Sequence, residues 1–402
     1  KWFTGTPSAD AGPAVLKRML QTVIAEGLVF GAVHSTPLDA MTPDGDYQWD
    51  AVQELATFAS ENRVLFTDRT RLADVAVAYC FACVSWRHFS TISSYDDPSF
   101  PNNTLGRHLT QMTSAAKLLD EQHLAWEVII LGHPDLYPDP MPLLPVRLRK
   151  TKLFILPNVD AISIEDQVTI EAWVRQGGVL WLWDESGTRD EELQKRTQTF
   201  RNLAAWENLI KTPGTGRVIT TRRGTIQAMQ AGLPDPDLNG VDAYHSMVTT
   251  LDQSFSTSSR LFHTDAPPEV AFSLFTHGNG PMLSVAFVRY ADLDALDDSA
   301  VNRASVSFNI SVHPTFSHTN YNFTKATYFS LGPNAFPPLD LQHSCVFLFK
   351  YTTCTFVIPP TDLMGVVVLS DGGELEARTA AAEARRWHTR LTIQTRSAGE
   401  DP

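Results

Sequence analysis

Between residues 70 and 222 the chain alternates runs that are apolar on both faces with stretches of helical period, and this restricts its fold more than any other feature. The run ADVAVAYCFACVSW has no polar face, as expected of a central parallel strand covered on both sides. A polar loop with Asp96, Asp97, Pro98 and Pro101 follows. LGRHLTQMTSAAKLLDEQ then aligns Leu105, Leu109, Met112, Ala116 and Leu119 on one helical face, and WEVIIL reads as the next strand. Past a Pro-rich loop, LRKTKLFILPNVDAIS supplies a third strand ending at Pro157 and Asn158. Ser163 and Asp166 form a capping-box-like S-x-x-D ahead of EDQVTIEAWVRQ, Gly177 and Gly178 stop that helix, and VLWLWDE is a fourth strand. The order implies a mostly parallel sheet with helices on both faces.

Beyond about residue 225 the period changes from helical to alternating. PMLSVAFVRYADL, ASVSFNISVHP, CVFLFKYTTCTFVIP and GVVVLSDGG are β-type runs separated by Pro, Gly, Asn and Asp clusters, which argues for an antiparallel β-sandwich-like domain. The final stretch from Ala377 is open between a helix and a frayed end. Residues 1–66 read as helix, strand, loop and helix, with LVFGAVHS as the strand. One such turn cannot bury its own strand and needs neighbours from elsewhere. The expected domains are therefore 1–68, 69–225 and 226–402.

The 402 residues, 43% of them hydrophobic, can bury sizeable cores. No run approaches the ~18 consecutive apolar residues of a membrane span. The net charge of -13, without Lys/Arg runs interleaved with aromatics, argues against a nucleic-acid partner and supports solubility. The chain opens Lys1-Trp2-Phe3, with neither an initiator Met nor an apolar leader, so residue 1 is read as an internal cut of a longer protein. Sequons at Asn102, Asn309 and Asn322 would accept glycans if that protein enters a secretory pathway, and a secreted or lumenal compartment stays open. Cys80 and Cys83 have redox or zinc spacing but sit inside an apolar run, so buried strand thiols are expected. Cys345 and Cys354 flank a hairpin-like segment and could pair across it as a disulfide.

The ordered set ADVAVAY, AKLLDEQHLAWEVIIL, KLFILPNVDAISIEDQVTIEAWVRQGGVLWLWDES and GTGRVI resembles the amidotransferase-like domain, or trimerisation domain, that follows the catalytic barrel in β-galactosidase-type glycoside hydrolases. RLFHTDAPPEVAFSLFTHGNGPMLSVAFVRYADLD resembles the strand pair opening their C-terminal β-domain, and residues 1–66 are similar to the last strand and helix of their (β/α)8 barrel. The resemblance implies a flavodoxin- or amidotransferase-like sheet, an antiparallel β-domain and a barrel remnant. It also implies packing and homo-oligomer contacts for the α/β domain and a carbohydrate substrate bound by a barrel this chain does not supply.

Catalysis of that kind needs two carboxylates about 5–9 Å apart. The one barrel-like strand ends in His34 and bears no acid, so no catalytic pair is assigned, and His34 is a candidate for shaping the substrate pocket. An amidotransferase needs a nucleophilic Cys on a strand-to-helix turn. The turn here reads Trp183-Asp184-Glu185-Ser186-Gly187, and the G-x-S-x-G elbow that would serve Ser186 is missing, so the domain is read as catalytically silent. Asn158, Asp184 and Glu185 fall at strand ends, where open parallel sheets bind ligands, and are the crevice candidates. No cofactor is implied: PGTGR at 213–217 lacks the P-loop Lys-Ser/Thr. Scattered histidines, His313 and His318 included, give no metal-ligand spacing. The rival reading is a carbohydrate-binding or adhesion protein, with Phe316, Tyr321, Phe323, Tyr328 and Phe329 as its aromatic platform.

Overall fold

In the computed structural model the described residues are 56–84, 104–131, 144–190, 216–222, 241–254, 260–278, 282–289, 306–312, 323–331, 337–348, 351–361 and 363–371, with 25, 53, 195, 226 and 373 as single positions. Nearly all of residues 1–55, among them the barrel-like strand, and everything beyond 373 lie outside this set. The chain forms two compact units, one of Lys1–Leu72 with Leu261–Pro402 and one of Ala73–Arg260.

The division falls between Leu72 and Ala73 and between Arg260 and Leu261. Strand β1 (Arg69–Leu72) joins the β unit, pairing antiparallel with Val270–His277. Its alternating arginines suit a sheet rim, with Arg71 Nη2 donating to Ser273 Oγ at 3.0 Å, and would be misplaced in a doubly covered parallel sheet.

In the α/β unit, β2 (Val75–Cys80), α1 (Thr104–Glu121), β3 (Trp126–Leu131), α2 (Leu144–Leu148), β4 (Leu153–Pro157), α3 (Ile164–Arg175), β5 (Val179–Trp183), β6 (Arg217–Thr221) and α4 (Val241–Ser254) follow in order. All five strands are parallel, in the order β3-β2-β4-β5-β6. Leu153 to Pro157 are buried throughout, as a strand covered on both faces must be. Helix α3 starts where the capping pattern places it, since Ser163 Oγ accepts the Asp166 N–H at 3.0 Å. It stops at Gly177, whose φ of 110° is left-handed. Two helices depart from the sequence reading. Helix α2 forms inside the Pro-rich loop, and α4 occupies part of the region expected to alternate, where Met247 and Leu251, four residues apart, are buried.

The β unit continues with β7 (Phe262–Thr264), β8 (Val270–His277), β9 (Leu283–Arg289), β10 (Val306–Val312), β11 (Lys325–Leu331), β12 (Leu339–Asp340), β13 (His343–Leu348), β14 (Tyr351–Thr361) and β15 (Met364–Ser370). They make a six-stranded sheet, β1-β8-β9-β15-β11-β12, and a four-stranded sheet, β13-β14-β10-β7. Rings from the two sheets meet, with centroids 5.3 Å apart for Phe262 and Phe272 and 5.1 Å for Phe287 and Phe308. Tyr328 and Phe323 are buried and Phe329 is half-buried, so these three do not form an exposed aromatic platform. Phe316 and Tyr321 lie outside the described residues.

Candidate functional site

In an open parallel sheet the ligand crevice opens at the carboxyl ends of two strands whose connections leave in opposite directions. Here those strands are β2 and β4, because the chain passes from β2 outward to β3 and then returns to the other side of β2. Their ladder runs only through Val77 opposite Ile155, and beyond it Cys80 and Pro157 are left to find other partners.

His108 of α1 occupies that gap. Its Nε2 lies 3.0 Å from the backbone N of Cys80 and its Nδ1 lies 2.7 Å from the carbonyl of Pro157. The Cys80 N–H can only donate, so Nε2 is the acceptor and Nδ1 carries the proton donated to Pro157. The ring is fully buried. One turn on, Gln111 Nε2 donates to Asp184 Oδ2 at 3.2 Å, at the end of β5. The apolar spacing of α1 predicts an inward face of Leu105, Leu109, Met112, Ala116 and Leu119. The buried face instead includes His108, Gln111, Ser114, Ala115 and Leu118, with Ala116 and Leu119, while Leu109 and Met112 are half-buried. Strand ends present polar backbone that apolar side chains cannot satisfy, and this rotates the first half of the helix. His108 and Gln111, three apart and interrupting the apolar pattern, are the signal that was available.

Asn158 and Asp184 follow β4 and β5 in matching left-handed conformations, with φ of 50° and 52°. Both are buried. Such values are uncommon outside glycine, and Asn and Asp tolerate them best. Asn158 Oδ1 accepts the Glu185 N–H at 3.4 Å, and Glu185 itself is exposed. The three crevice candidates therefore converge on one sheet edge, in turn-forming roles. Ser186 is fully buried, with Oγ 2.6 Å from the Leu156 carbonyl and 2.7 Å from that of Trp183, and it accepts the Val159 N–H at 3.0 Å. A hydroxyl so enclosed ties β4 to β5, its proton shared between two carbonyls and one lone pair taken by the Val159 N–H.

Cys80 and Cys83 correct the expectation of strand thiols. The strand ends at Cys80, residues 81–84 are helical, and the two sulfurs form a disulfide. The turn of helix carries Cys83 back over Cys80, with Cα atoms 5.2 Å apart, and the Cys83 N–H donates to Cys80 Sγ at 2.9 Å. Both residues are fully buried.

Of the remaining candidates, Cys345 and Cys354 are directly opposed on β13 and β14 and form a second disulfide. Asn309 is exposed on β10. His34, Asn102, Asn322, His313 and His318 lie outside the described residues. Among the described residues, no group of three His, Cys, Asp or Glu side chains could hold a metal ion, and no helix is long and apolar enough to cross a membrane.

The described residues form a parallel α/β unit and an antiparallel β unit. The chain is similar in fold to α-L-fucosidase isoenzyme 2 from Paenibacillus thiaminolyticus, at TM-score 0.50 and 11% identity, over 90% of this chain and 57% of that one. A β-galactosidase from Bacillus circulans sp. alkalophilus overlays 80% of this chain on 45% of its own at TM-score 0.42 and 12% identity. The chain thus spans about half the length of these structures. The sequence matches no family model and no curated protein.

Proposed function

We propose that this chain is the non-catalytic C-terminal portion of a glycoside-hydrolase-type protein that acts on a β-galactoside-like or related carbohydrate, its α/β unit serving packing and homo-oligomer contacts. The observation that carries the reading is His108. Its imidazole fills the gap between β2 and β4 where a ligand of this sheet would sit, and both ring nitrogens are committed to backbone. Beside it, the turn after β5 bears Asp184 where an amidotransferase needs Cys, and the hydroxyl of Ser186 is enclosed. The fold likeness to a fucosidase supports the sugar class of the parent and leaves the choice of sugar to the experiment.

Two disulfides engage all four cysteines, which favours folding in an oxidising, secreted or lumenal compartment.

The test is an assay of the purified chain with aryl β-galactoside and aryl α-L-fucoside. No turnover is expected, and an Asp184→Ala substitution placed in the longer protein should leave its kcat within twofold of the parent value. Hydrolysis by the chain alone that disappears in the Asp184→Ala variant would overturn the proposal.

A further inference from the structure

We infer that Asn309 carries an N-linked glycan whose first sugar lies on the solvent face of the four-stranded sheet, an inference that rests on the proposed oxidising, secretory compartment. The sequon Asn309-Ile310-Ser311 lies within β10. Strand alternation turns Ile310 into the core, where it is fully buried, and sends Asn309 and Ser311 outward together. Across the ladder, Val357 stands directly opposite Asn309 and Thr355 opposite Ser311.

Two features of that face fit a sugar. Asp265 fixes the acceptor side chain, taking the Asn309 backbone N–H through Oδ1 and one Nδ2 hydrogen through Oδ2, both at 2.6 Å. The Nδ2 amide has two hydrogens, so the second remains for substitution by N-acetylglucosamine, and the acceptor is held in one rotamer pointing out of the sheet. Val357 is 54% exposed, an apolar side chain directly opposite Asn309 on a face that also carries Ser311, Thr355 and a second exposed valine, Val346. A pyranose linked to Asn309 reaches its cross-strand neighbour and covers that methyl pair with its own C–H face. The linkage replaces one N–H with N–C1 and releases the lipid pyrophosphate of the sugar donor, with no redox change.

The experiment is expression of the full chain, with a cleavable leader, in a eukaryotic secretory host, followed by peptide mass mapping of wild type, S311A and S311T. Expected are a hexosamine-bearing Asn309 peptide in most wild-type and S311T molecules and its loss in S311A. An unmodified Asn309 in secreted chain whose disulfides have closed overturns the glycan while leaving the compartment reading in place. Cysteines that stay reduced in the secreted chain count against the disulfide-based compartment reading instead. Thermal midpoints address the packing: trimming to a single N-acetylglucosamine should leave the midpoint unchanged, whereas a drop on trimming would place the stabilising contact beyond Val357 and refute the first-sugar assignment.

Discussion

His108 bonds the backbone N–H of Cys80 at the point where strands β2 and β4 have stopped pairing with each other. Replacing it by alanine leaves that buried N–H and the Pro157 carbonyl without a partner. Unsatisfied buried groups cost about 1–3 kcal/mol each, so the H108A variant, which orphans two, should lose about 2–6 kcal/mol. Urea unfolding followed by tryptophan fluorescence would register this as a lower midpoint with little change in slope. An unchanged midpoint would show that the imidazole is dispensable to the sheet, and the gap would again be a site open to a ligand.

Asp265 makes the β unit sensitive to acid. The backbone N–H of Asn309 is the main cause of its lowered pKa; burial opposes it, and the Asn309 side-chain amide adds a smaller lowering. A carboxylate whose folded pKa lies below its unfolded value of ~3.9 contributes stability above that value, and loses it as pH falls through the folded pKa. The acid limb of stability below about pH 4 should therefore flatten in a D265N variant. Asp265 is largely solvent-exposed, so the difference should be small and should shrink with salt. Equilibrium unfolding between pH 2 and 6 at two ionic strengths, a range set around the ordinary aspartate value, tests it.

Tyr244 acts at the alkaline end. Burial raises its phenol pKa, and the adjoining Glu121 carboxylate, which accepts the hydroxyl at 2.9 Å, raises it further. An acid with a raised folded pKa contributes stability below its unfolded value of ~10 and loses it as pH climbs toward the folded value. Stability of the α/β unit should fall above about pH 10, and Y244F should remove that part of the slope while losing the bond to Glu121 at neutral pH. A spectrophotometric titration of the tyrosines gives the independent check.

The alternation of doubly apolar strands with capped helices is legible because each signal is local: Ser163 caps α3, Gly177 ends it, and β4 is apolar from Leu153 to Pro157. What escaped depends on tertiary partners. Short α2 has too few residues for a period to register, and α4 stands ahead of a long series of alternating strands that dominates the pattern beyond residue 225. Arg69 and Arg71 belong to a sheet whose other strands come about two hundred residues later, where Arg69 lies over the Phe275 ring at 4.1 Å, a pairing no local signal announces. At the candidate site, Asn158 and Asp184 were visible as polar residues at strand ends. His108 was not singled out, because its value comes from two backbone groups on other elements. The Cys80–Cys83 disulfide was hidden by an apolar run in which nothing marks the change from strand to helix.

Three glycines separate packing demands from backbone freedom. A Cβ on Gly365 would meet the Phe287 ring and come within 2.6 Å of Tyr328, whose rings stack with centroids 6.3 Å apart in the core of the β unit. On Gly216 it would collide with the Gly178 carbonyl, just ahead of β5, and reach 2.5 Å from the Val174 carbonyl on α3, and backbone cannot step aside as a side chain can. On Gly373 it would meet nothing within 4 Å. Overpacked cores typically lose about 1–3 kcal/mol, so G365A should fall in that range, with G216A at its upper end or beyond because the Gly216 N–H bond to the Val174 carbonyl, 2.9 Å long, would open as the strand is pushed away. G373A should stay within about 0.5 kcal/mol of the parent. Urea midpoints for the three variants give the order. Equal effects for G216A and G373A would mean that β6 does not approach α3 and β5 as closely as the parallel ladder requires.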